Sequence, residues 1–396
     1  MAYGTIFGLN PCEGIAMAVL KFSVPEIFLG QGSLKYAGVC ARRLGAEKIF
    51  LVSDPGLESS GWVEKVFKIL ENSGLKWVYY SDISSNPRDY EIERGARLYQ
   101  GHNCDGVMAL GGGSPMDAAK GIALVAGNGG RVNDYEGANR IEHPLPPMVF
   151  IPSTASSGSD ISQFTIITDP DRGVKMSIIS RTLVPNVSII DPVLLTTKSR
   201  ELIIAAAVDA LSHAVEAYVS PIASPLTEIH SLQAIKEIIR HLYRAVEGRS
   251  LDDLETLSQA GTSAAMAFSN AGLGLDHALA HSIGGMLDAV HGTIHSVLLP
   301  PVMAFNLSAC PGKMAKIGKT ILGKSTGDDR ETALAGIQAL EEFFCGLNIP
   351  TRLRQIIPHQ SDLDKICKMA LGDACLLSNP RSIRLEDMLC LCQGVW

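Results

Sequence analysis

The chain has 396 residues, of which 46% are hydrophobic and 19% are charged, and its net charge is −7 at pH 7. This composition excludes a disordered chain, and with no basic block and no interleaved aromatic and basic residues it argues against nucleic-acid binding. The nine cysteines include no Cys-x-x-Cys pair, so the sequence favours reduced thiols in a cytoplasmic protein over a disulfide framework.

The sequence also lacks features that direct a protein to or across a membrane. The first eleven residues contain no basic segment and no clear apolar core, so no signal peptide is predicted. The longest apolar runs are shorter than the roughly 20 residues that a membrane-spanning helix needs. We therefore expect no interaction with a membrane.

Short β-rich runs alternate with helical patterns from residue 25 to about residue 195. Strands are predicted at residues 49–53, 77–81, 107–110, 148–151, 164–168 and 187–190. The helices predicted between them include residues 61–72, 89–100 and 115–126. Because strands that alternate with helices form parallel sheets, the pattern predicts an α/β Rossmann-like domain with a doubly wound parallel sheet.

Helical patterns dominate the chain after about residue 194. Helices are predicted at residues 200–219, 225–246, 251–270, 276–290, 329–347, 361–370 and 385–392. A chain of this length is expected to divide into two domains. We predict an α/β dinucleotide-binding domain over residues 1–191 and an all-helical metal-binding and substrate domain over residues 192–396.

The strand predicted at residues 49–53 is followed directly by an acid, Asp54. A carboxylate at a strand end can hydrogen-bond a ribose diol and repel a 2′-phosphate, which favours NAD over NADP. An ordinary turn aspartate explains the residue equally well.

Three consecutive glycines, residues 111–113, follow the apolar run at 107–110. Ser114 is a plausible cap for the next helix, with Pro115 at its first position. A strand, a glycine turn and a helix N-terminus together form a phosphate site, because bare backbone N–H groups face the anion. The segment is neither Gly-x-Gly-x-x-Gly nor a Walker motif, and a tight structural turn is the alternative.

Two pairs of polar residues have the spacing of one helical turn, Asp209 with His213 and His277 with His281. Each pair projects from one face of a helix, and a carboxylate with several imidazoles is a ligand set for a divalent metal. Taken alone, either pair is more typical of a surface contact or a satisfied core polar group than of a metal site. Both pairs lie in apolar sequence, where unpaired polar groups are costly, and this favours the metal.

A third histidine, His291, follows His277 by fourteen residues. On a straight helix this separation is about 21 Å, too far for the two side chains to share one ion. Either they do not share it, or the helix breaks between them, and Gly284-Gly285 permits such a break. Spacing alone favours His277 and His281 as the pair.

Several motifs in order resemble those of the iron-containing (group III) alcohol dehydrogenases over nearly the whole chain. They are Gly-Gly-Gly-Ser-x-x-Asp-x-x-Lys at residues 111–120, Asp-Ala-x-x-His-Ala at 209–214, His-x-x-x-His-x-x-Gly at 277–284, His-Gly at 291–292 and Asn-Pro-Arg at 379–381. The chain is most similar to the lactaldehyde reductase and short-chain alcohol dehydrogenase branch. The resemblance implies a dehydroquinate synthase-like fold, with a Rossmann-like domain followed by an all-α domain.

The resemblance implies four metal ligands, Asp209, His213, His277 and His291, for Fe²⁺, with Zn²⁺ as the alternative. It places His281 beside the metal and the nicotinamide, as a catalytic proton relay and not as a ligand. This replaces the choice made from spacing, and it requires the chain to turn after His281.

The resemblance also implies NAD as the cofactor, with Asp54 at the ribose and Asn86 on the adenosine side. The remaining implied cofactor contacts are Gly112, Gly113, Ser114, Asp117, Ser153, Thr154, Ser157 and Lys175. Ser153, Ser156, Ser157 and Asp160 depart from the family's usual Thr, Gly, Thr and Glu, and Ala207 replaces a usual Gly. The hydroxyls are retained, whereas Ser156 adds a Cβ to a bare loop and Ala207 stiffens its helix.

The function implied is a metal-dependent, NAD(H)-linked alcohol dehydrogenase or aldehyde reductase. It would interconvert a small primary alcohol or diol and its aldehyde by direct hydride transfer, with the metal as a Lewis acid. A homodimer or larger homo-oligomer is expected. The alternatives are a lyase of the dehydroquinate synthase type and a catalytically silent NAD-binding protein. Residues 271–311 contain no Lys or Arg, which disfavours the phosphate-binding pocket that the lyase needs.

Overall fold

The computed structural model describes residues 21–155, 157–287 and 289–396. Two parts of the sequence discussed above lie outside these residues. They are the first eleven residues, for which no signal peptide is predicted, and Ser156, which replaces the family's usual Gly. The main sheet has six parallel strands in the order β1-β9-β6-β4-β2-β3. They are β1 Glu26–Leu29, β2 Lys48–Val52, β3 Lys76–Tyr80, β4 Gly106–Gly111, β6 Met148–Pro152 and β9 Val187–Ile190.

Helices cover both faces of this sheet, which confirms the predicted doubly wound α/β fold. They are α1 Ala37–Arg43, α2 Pro55–Ser59, α3 Trp62–Asn72, α4 Asp89–Gly101 and α5 Gly113–Asn128. Successive residues of β2 enter different cores: Phe50 packs with Ile92 of α4, and Leu51 packs with Val66 of α3. The central strands are therefore apolar on both faces, as buried parallel strands are.

The strand predicted at residues 164–168 does not belong to the parallel sheet. It is β7, Phe164–Asp169, in a small second sheet of order β5-β8-β7 with β5 Gly137–Ala138 and β8 Val174–Ile179. β7 and β8 pair antiparallel and are joined by a short turn that contains Gly173 at φ +64°. A turn this short leaves no room for the crossover that parallel pairing requires.

The chain after Arg200 is helical, as predicted. Its helices are α6 Arg200–Val219, α7 Pro225–Glu247, α8 Leu251–Ala271, α9 Leu275–Leu287, α10 His291–Asn306, α11 Pro311–Leu322, α12 Asp329–Gly346, α13 Leu363–Ala370 and α14 Leu385–Gly394. Of these, α10 and α11 were not predicted. α6 is long and apolar enough to cross a membrane by length and composition alone. However, 94% of its most apolar 18-residue stretch is buried inside the molecule, so α6 packs as a core helix.

Candidate metal and cofactor site

A cleft of about 270 Å³ lies between the sheet half and the helical half of the chain. Asn86, Ser114, Asp117, Ser157 and Lys175 line it from the sheet half, together with Gly113. Asp209, His213, His277, His281 and His291 line it from the helical half. The structure therefore brings the predicted metal residues and most of the predicted cofactor contacts to one cavity.

Three helices supply the polar cluster on the helical side, with Asp209 and His213 on α6, His277 on α9 and His291 on α10. The Nε2 atoms of His213, His277 and His291 lie 3.5, 3.7 and 3.9 Å from Asp209 Oδ1. The three histidines that the family resemblance implied as ligands thus converge on one carboxylate oxygen of the fourth implied ligand, Asp209.

The cluster has the chemistry of a cation site. Asp209 Oδ1 and His277 Nε2 are buried and have no good hydrogen-bond partner. Burial lowers the pKa of His213 to about 3 and that of His277 to about 4, so both rings are neutral at pH 7. Metal ligation needs neutral imidazoles and an ionised carboxylate. Buried polar atoms without a hydrogen-bond partner destabilise the protein unless an ion binds between them. The residues therefore fit a divalent metal.

A carboxylate behind the cluster orients His277. Glu216 of α6 is buried, and its Oε2 lies 2.7 Å from His277 Nδ1. Burial raises the pKa of Glu216 to about 7, although backbone N–H groups such as that of Asp276 oppose the shift. A carboxylate on the far nitrogen of a metal-binding histidine fixes its tautomer and directs the other nitrogen to the ion.

His281 lies beside this cluster. Its ring stacks on that of His291 at 5.4 Å between centroids, and its Nδ1 lies 2.8 Å from Asp373 Oδ2. Burial opposes ionisation of Asp373, but His281 outweighs it and lowers the carboxyl pKa to about 2. His281 is thus a neighbour of the four predicted ligands, held by its own carboxylate.

The chain turns after His281, as the family resemblance requires, but the break lies beyond Leu287 and not at Gly284-Gly285, where the sequence permitted it. α9 continues through both glycines to Leu287, and α10 begins at His291. The rings of His277 and His291 are 5.6 Å apart between centroids. Gly284 lies against Lys175, because a Cβ at this position would be 3.2 Å from Lys175 Nζ.

The glycine turn follows β4 and leads directly into α5. The helix begins at Gly113 with Gly112 as its cap, so the prediction that Ser114 is the cap is wrong by two residues. Ser114 Oγ instead donates to the carbonyl of Ser85. A Cβ at Gly113 would lie 3.1 Å from Ser157 Cβ. The bare backbone therefore leaves the helix N-terminus open to an anion.

Four of the predicted cofactor residues are absent from the cleft lining, namely Asp54, Gly112, Ser153 and Thr154. Asp54 follows β2, caps α2 through the N–H of Leu57, and lies beside the turn, 3.3 Å from where a Gly111 Cβ would be. Ser153 is fully buried, and Thr154 lies against Gly112. Asp54 and the turn thus sit at the carboxyl ends of neighbouring strands, where nucleotides bind in such sheets.

Two lysines tie the cleft wall together. Lys175 of β8 donates to Asn86 Oδ1 at 2.7 Å. Lys120 of α5 is fully buried and donates to the carbonyls of Ser162 and Phe164 at 2.6 and 2.7 Å. Burial raises the pKa of Asp117, one turn before Lys120, to about 6. Lys120 therefore anchors the loop after β6 to the helix that carries the glycine turn.

Two of the departures from the family pattern, Asp160 and Ala207, lie in the interior of the protein. Asp160 is buried and accepts a hydrogen bond of 2.7 Å from Ser188 Oγ. Ala207 is buried within α6, two residues before Asp209.

Sequence reasoning missed four residues around the cluster: Glu216, Asp276, His295 and Asp373. His295 follows His291 by four residues, the same spacing that singled out His277 and His281, and this signal was present in the sequence. Burial opposes charge on His295, but Asp276 and Asp209 outweigh it and raise its pKa to about 10. Asp373 is 92 residues from its partner His281, and no local pattern connects them.

Family models match both halves of the chain. The model described as iron-containing alcohol dehydrogenase matches residues 25–192, and that of the C-terminal part of the Fe-containing alcohol dehydrogenase family matches residues 203–396.

Individual relatives match over nearly their whole length. The NAD-dependent methanol dehydrogenase of Bacillus methanolicus is 38% identical over 93% of this chain and 97% of its own. The 1,3-propanediol dehydrogenase of Klebsiella pneumoniae is 38% identical over 92% of this chain and 95% of its own. Among solved structures, a 1,3-propanediol oxidoreductase superposes with a TM-score of 0.93 at 35% identity, covering 96% of this chain and 100% of that one.

Proposed function

The chain belongs to the iron-containing alcohol dehydrogenase family and is an NAD-dependent alcohol dehydrogenase, and we propose that it interconverts a small primary alcohol or diol and its aldehyde in the cleft between its two halves. The observation that carries this proposal is the convergence of Asp209 Oδ1 and three imidazole nitrogens in the same cavity as the glycine turn. The comparisons do not favour the lyase alternative, since the relatives named above are alcohol and diol dehydrogenases.

Asp209, His213, His277 and His291 are the proposed ligands of a divalent ion, with Fe²⁺ as the first choice and Zn²⁺ as the second. Nitrogen-rich sites with one carboxylate accept both ions. When bound, the ion polarises the alcohol or carbonyl oxygen, and NAD accepts or donates the hydride. The residues proposed to hold both line one cleft.

The cleft wall supports a short, uncharged substrate. Phe164, Phe268 and Leu273 line it near the cluster, and the ring of Phe268 stacks on His213 at 4.2 Å. Burying a few methylene groups there contributes about 0.8 kcal/mol each. Residues 271–311 contain no Lys or Arg, and the lysine that does line the cleft, Lys175, is a proposed cofactor contact.

His281 is the proposed proton carrier. It lines the cleft beside His291, and Asp373 accepts from its Nδ1–H, which leaves Nε2 as the nitrogen that can take the hydroxyl proton. The tautomer follows from the hydrogen bond with Asp373, as in other carboxylate–imidazole pairs.

We expect aldehyde reduction to depend on a restored divalent ion. Protein freed of metal by chelation is reloaded with Fe²⁺, Zn²⁺ or Mn²⁺, and NADH oxidation is followed at 340 nm, the nicotinamide absorption band, with straight-chain aldehydes of two to eight carbons. The rate should be highest with Fe²⁺ and the shorter aldehydes. A metal-free protein that reduces aldehydes as fast as the reloaded one would contradict the proposal, and NADH binding with no reduction under any condition would favour the silent alternative.

Asp54 is the proposed selector for NAD over NADP. Asp54→Ser keeps an oxygen that can cap α2 but removes the charge that repels a 2′-phosphate. We expect the ratio of kcat/KM for NADH to that for NADPH to fall about 10-fold or more, since one close like charge changes the relative free energy by roughly 1 to 4 kcal/mol. The control is Glu58→Gln on the same helix, which should leave the ratio unchanged.

The remaining proposed cofactor contacts form two groups. Asn86, Ser114, Asp117, Ser157 and Lys175 line the cleft with Gly113, while Gly112, Ser153 and Thr154 shape the turn behind it. A homo-oligomer and a cytoplasmic location stay predictions. Eight cysteines in the described residues are free thiols, which agrees with a reducing compartment. Light scattering after size exclusion would measure the oligomer.

A further inference from the structure

His295 lies among the proposed metal ligands, although neither the family motifs nor the proposed ligand set include it. It follows His291 by one turn of α10 and is fully buried. Its Nε2 lies 3.3 Å from Asp209 Oδ1, closer than any of the other three imidazoles, and 3.3 Å from His291 Nε2. The ring therefore points into the same space as the proposed ligands.

The far nitrogen of His295 is held in the way that is typical of a metal-binding histidine. Asp276 is fully buried, and its Oδ2 lies 2.8 Å from His295 Nδ1. This repeats the pairing of Glu216 with His277. Such a carboxylate directs Nε2 toward the ion and raises its basicity as a ligand. Of the proposed ligands, His213 and His291 have Nδ1 atoms without a good hydrogen-bond partner.

The distances from His295 Nε2 to its neighbours fit ligand atoms that share one ion. Ligand atoms about 2.0 to 2.2 Å from a metal and 90 to 110° apart are roughly 2.8 to 3.6 Å from one another. The two 3.3 Å separations of His295 Nε2 fall in this range. Asp209, His277, His291 and His295 also offer one atom each within 4.8 Å of all the others.

We propose that His295 is a fifth protein ligand of the divalent ion, beside Asp209, His213, His277 and His291. The inference rests on the ligand set of the proposed function and extends it. Four imidazoles and one carboxylate leave a sixth octahedral position open, and they favour Fe²⁺, Co²⁺ or Zn²⁺ over Mg²⁺.

His295→Asn tests the proposal, because its amide N–H can still reach Asp276 while no atom replaces Nε2. The full-length chain is freed of metal and titrated with Co²⁺, and the visible absorption of the bound ion is recorded. Loss of a ligand should increase the band intensity severalfold, as coordination falls toward four, and should weaken Co²⁺ binding more than 10-fold. Identical spectra and affinities for the variant and the wild type would overturn the proposal and leave His295 as a buried partner of Asp276.

Two further variants keep the result interpretable. Asp276→Asn retains the ring, so the Co²⁺ spectrum should keep its shape while affinity falls about 10- to 100-fold; if His295→Asn does not fold, an unchanged Co²⁺ affinity of Asp276→Asn overturns the proposal. His230→Asn on α7 is the matched control and should change neither quantity. Failure of the wild type to bind Co²⁺ would overturn the proposed function itself, whereas failure confined to His295 leaves the four-ligand site in place.

Discussion

His277→Ala is expected to abolish metal retention and to lower kcat/KM for aldehyde reduction by more than about 100-fold. Loss of a residue that merely orients a ligand already costs about 10- to 100-fold in affinity or activity, and a ligand should cost more. The substitution also leaves Glu216 buried without its imidazole partner. Metal content by mass spectrometry of the purified protein and NADH oxidation with reloaded Fe²⁺ measure the two effects. A variant that kept full metal-dependent activity would remove His277 from the site.

Glu216→Gln separates ligation from folding. The side chain keeps its size, and the ring of His277 remains, so we expect metal affinity to fall less than in His277→Ala. Far-ultraviolet circular dichroism and thermal unfolding of the metal-free proteins show whether either variant is misfolded. Equal losses in both variants would mean that the Glu216 pairing, and not the imidazole itself, is the essential element.

Gly292→Ala is expected to disrupt the site from outside it. A Cβ at Gly292 would lie 2.0 Å from the carbonyl oxygen and 2.5 Å from the carbonyl carbon of Ala205. Both atoms are backbone of α6, so α10 must move away from the helix that carries Asp209. Overpacking of this kind costs about 1 to 3 kcal/mol, and a ligand displaced by roughly 1 Å can cost about 100-fold in rate. The free energy of unfolding, the Fe²⁺ affinity and kcat should all fall.

Gly285→Ala is the matched control, because its Cβ would make an ordinary contact of 3.6 Å with the flexible side chain of Lys175. Alanine within a helix is more favourable than glycine by about 1 kcal/mol, so α9 should be as stable or more stable. Unchanged metal affinity and stability in Gly292→Ala would show that α6 and α10 do not approach as closely as described.

Sequence periodicity predicted the regular strands and helices correctly. It did not predict elements whose formation depends on packing against the rest of the chain. The strand at 107–110 is β4, because an apolar run between glycines has few alternatives. β1 is only four residues long and begins with Glu26, so its sequence offers no alternation. α10 contains Pro300 and Pro301, which normally end a helix; tertiary packing keeps it continuous here, and no local rule predicts that.

The candidate site was predictable as a set of residue types and unpredictable as a geometry. Helical spacing alone chose His281 over His291, because the position of the break between α9 and α10 is not encoded by the glycines. Only the family motifs identified His291. His295 had the same four-residue signal, yet it lies in a helix that was not predicted. Long-range partners such as Asp373 become visible only when the chain is folded.

The cleft is divided so that the cation's proposed ligands all belong to α6, α9 and α10, whereas the glycine turn and Asn86 belong to the sheet half. Separation of the two halves would widen the nucleotide's exit without moving the ligands of the ion relative to one another. The architecture therefore allows the nucleotide and the ion to have different residence times. The nucleotide can leave after every turnover, while the ion stays bound through many turnovers.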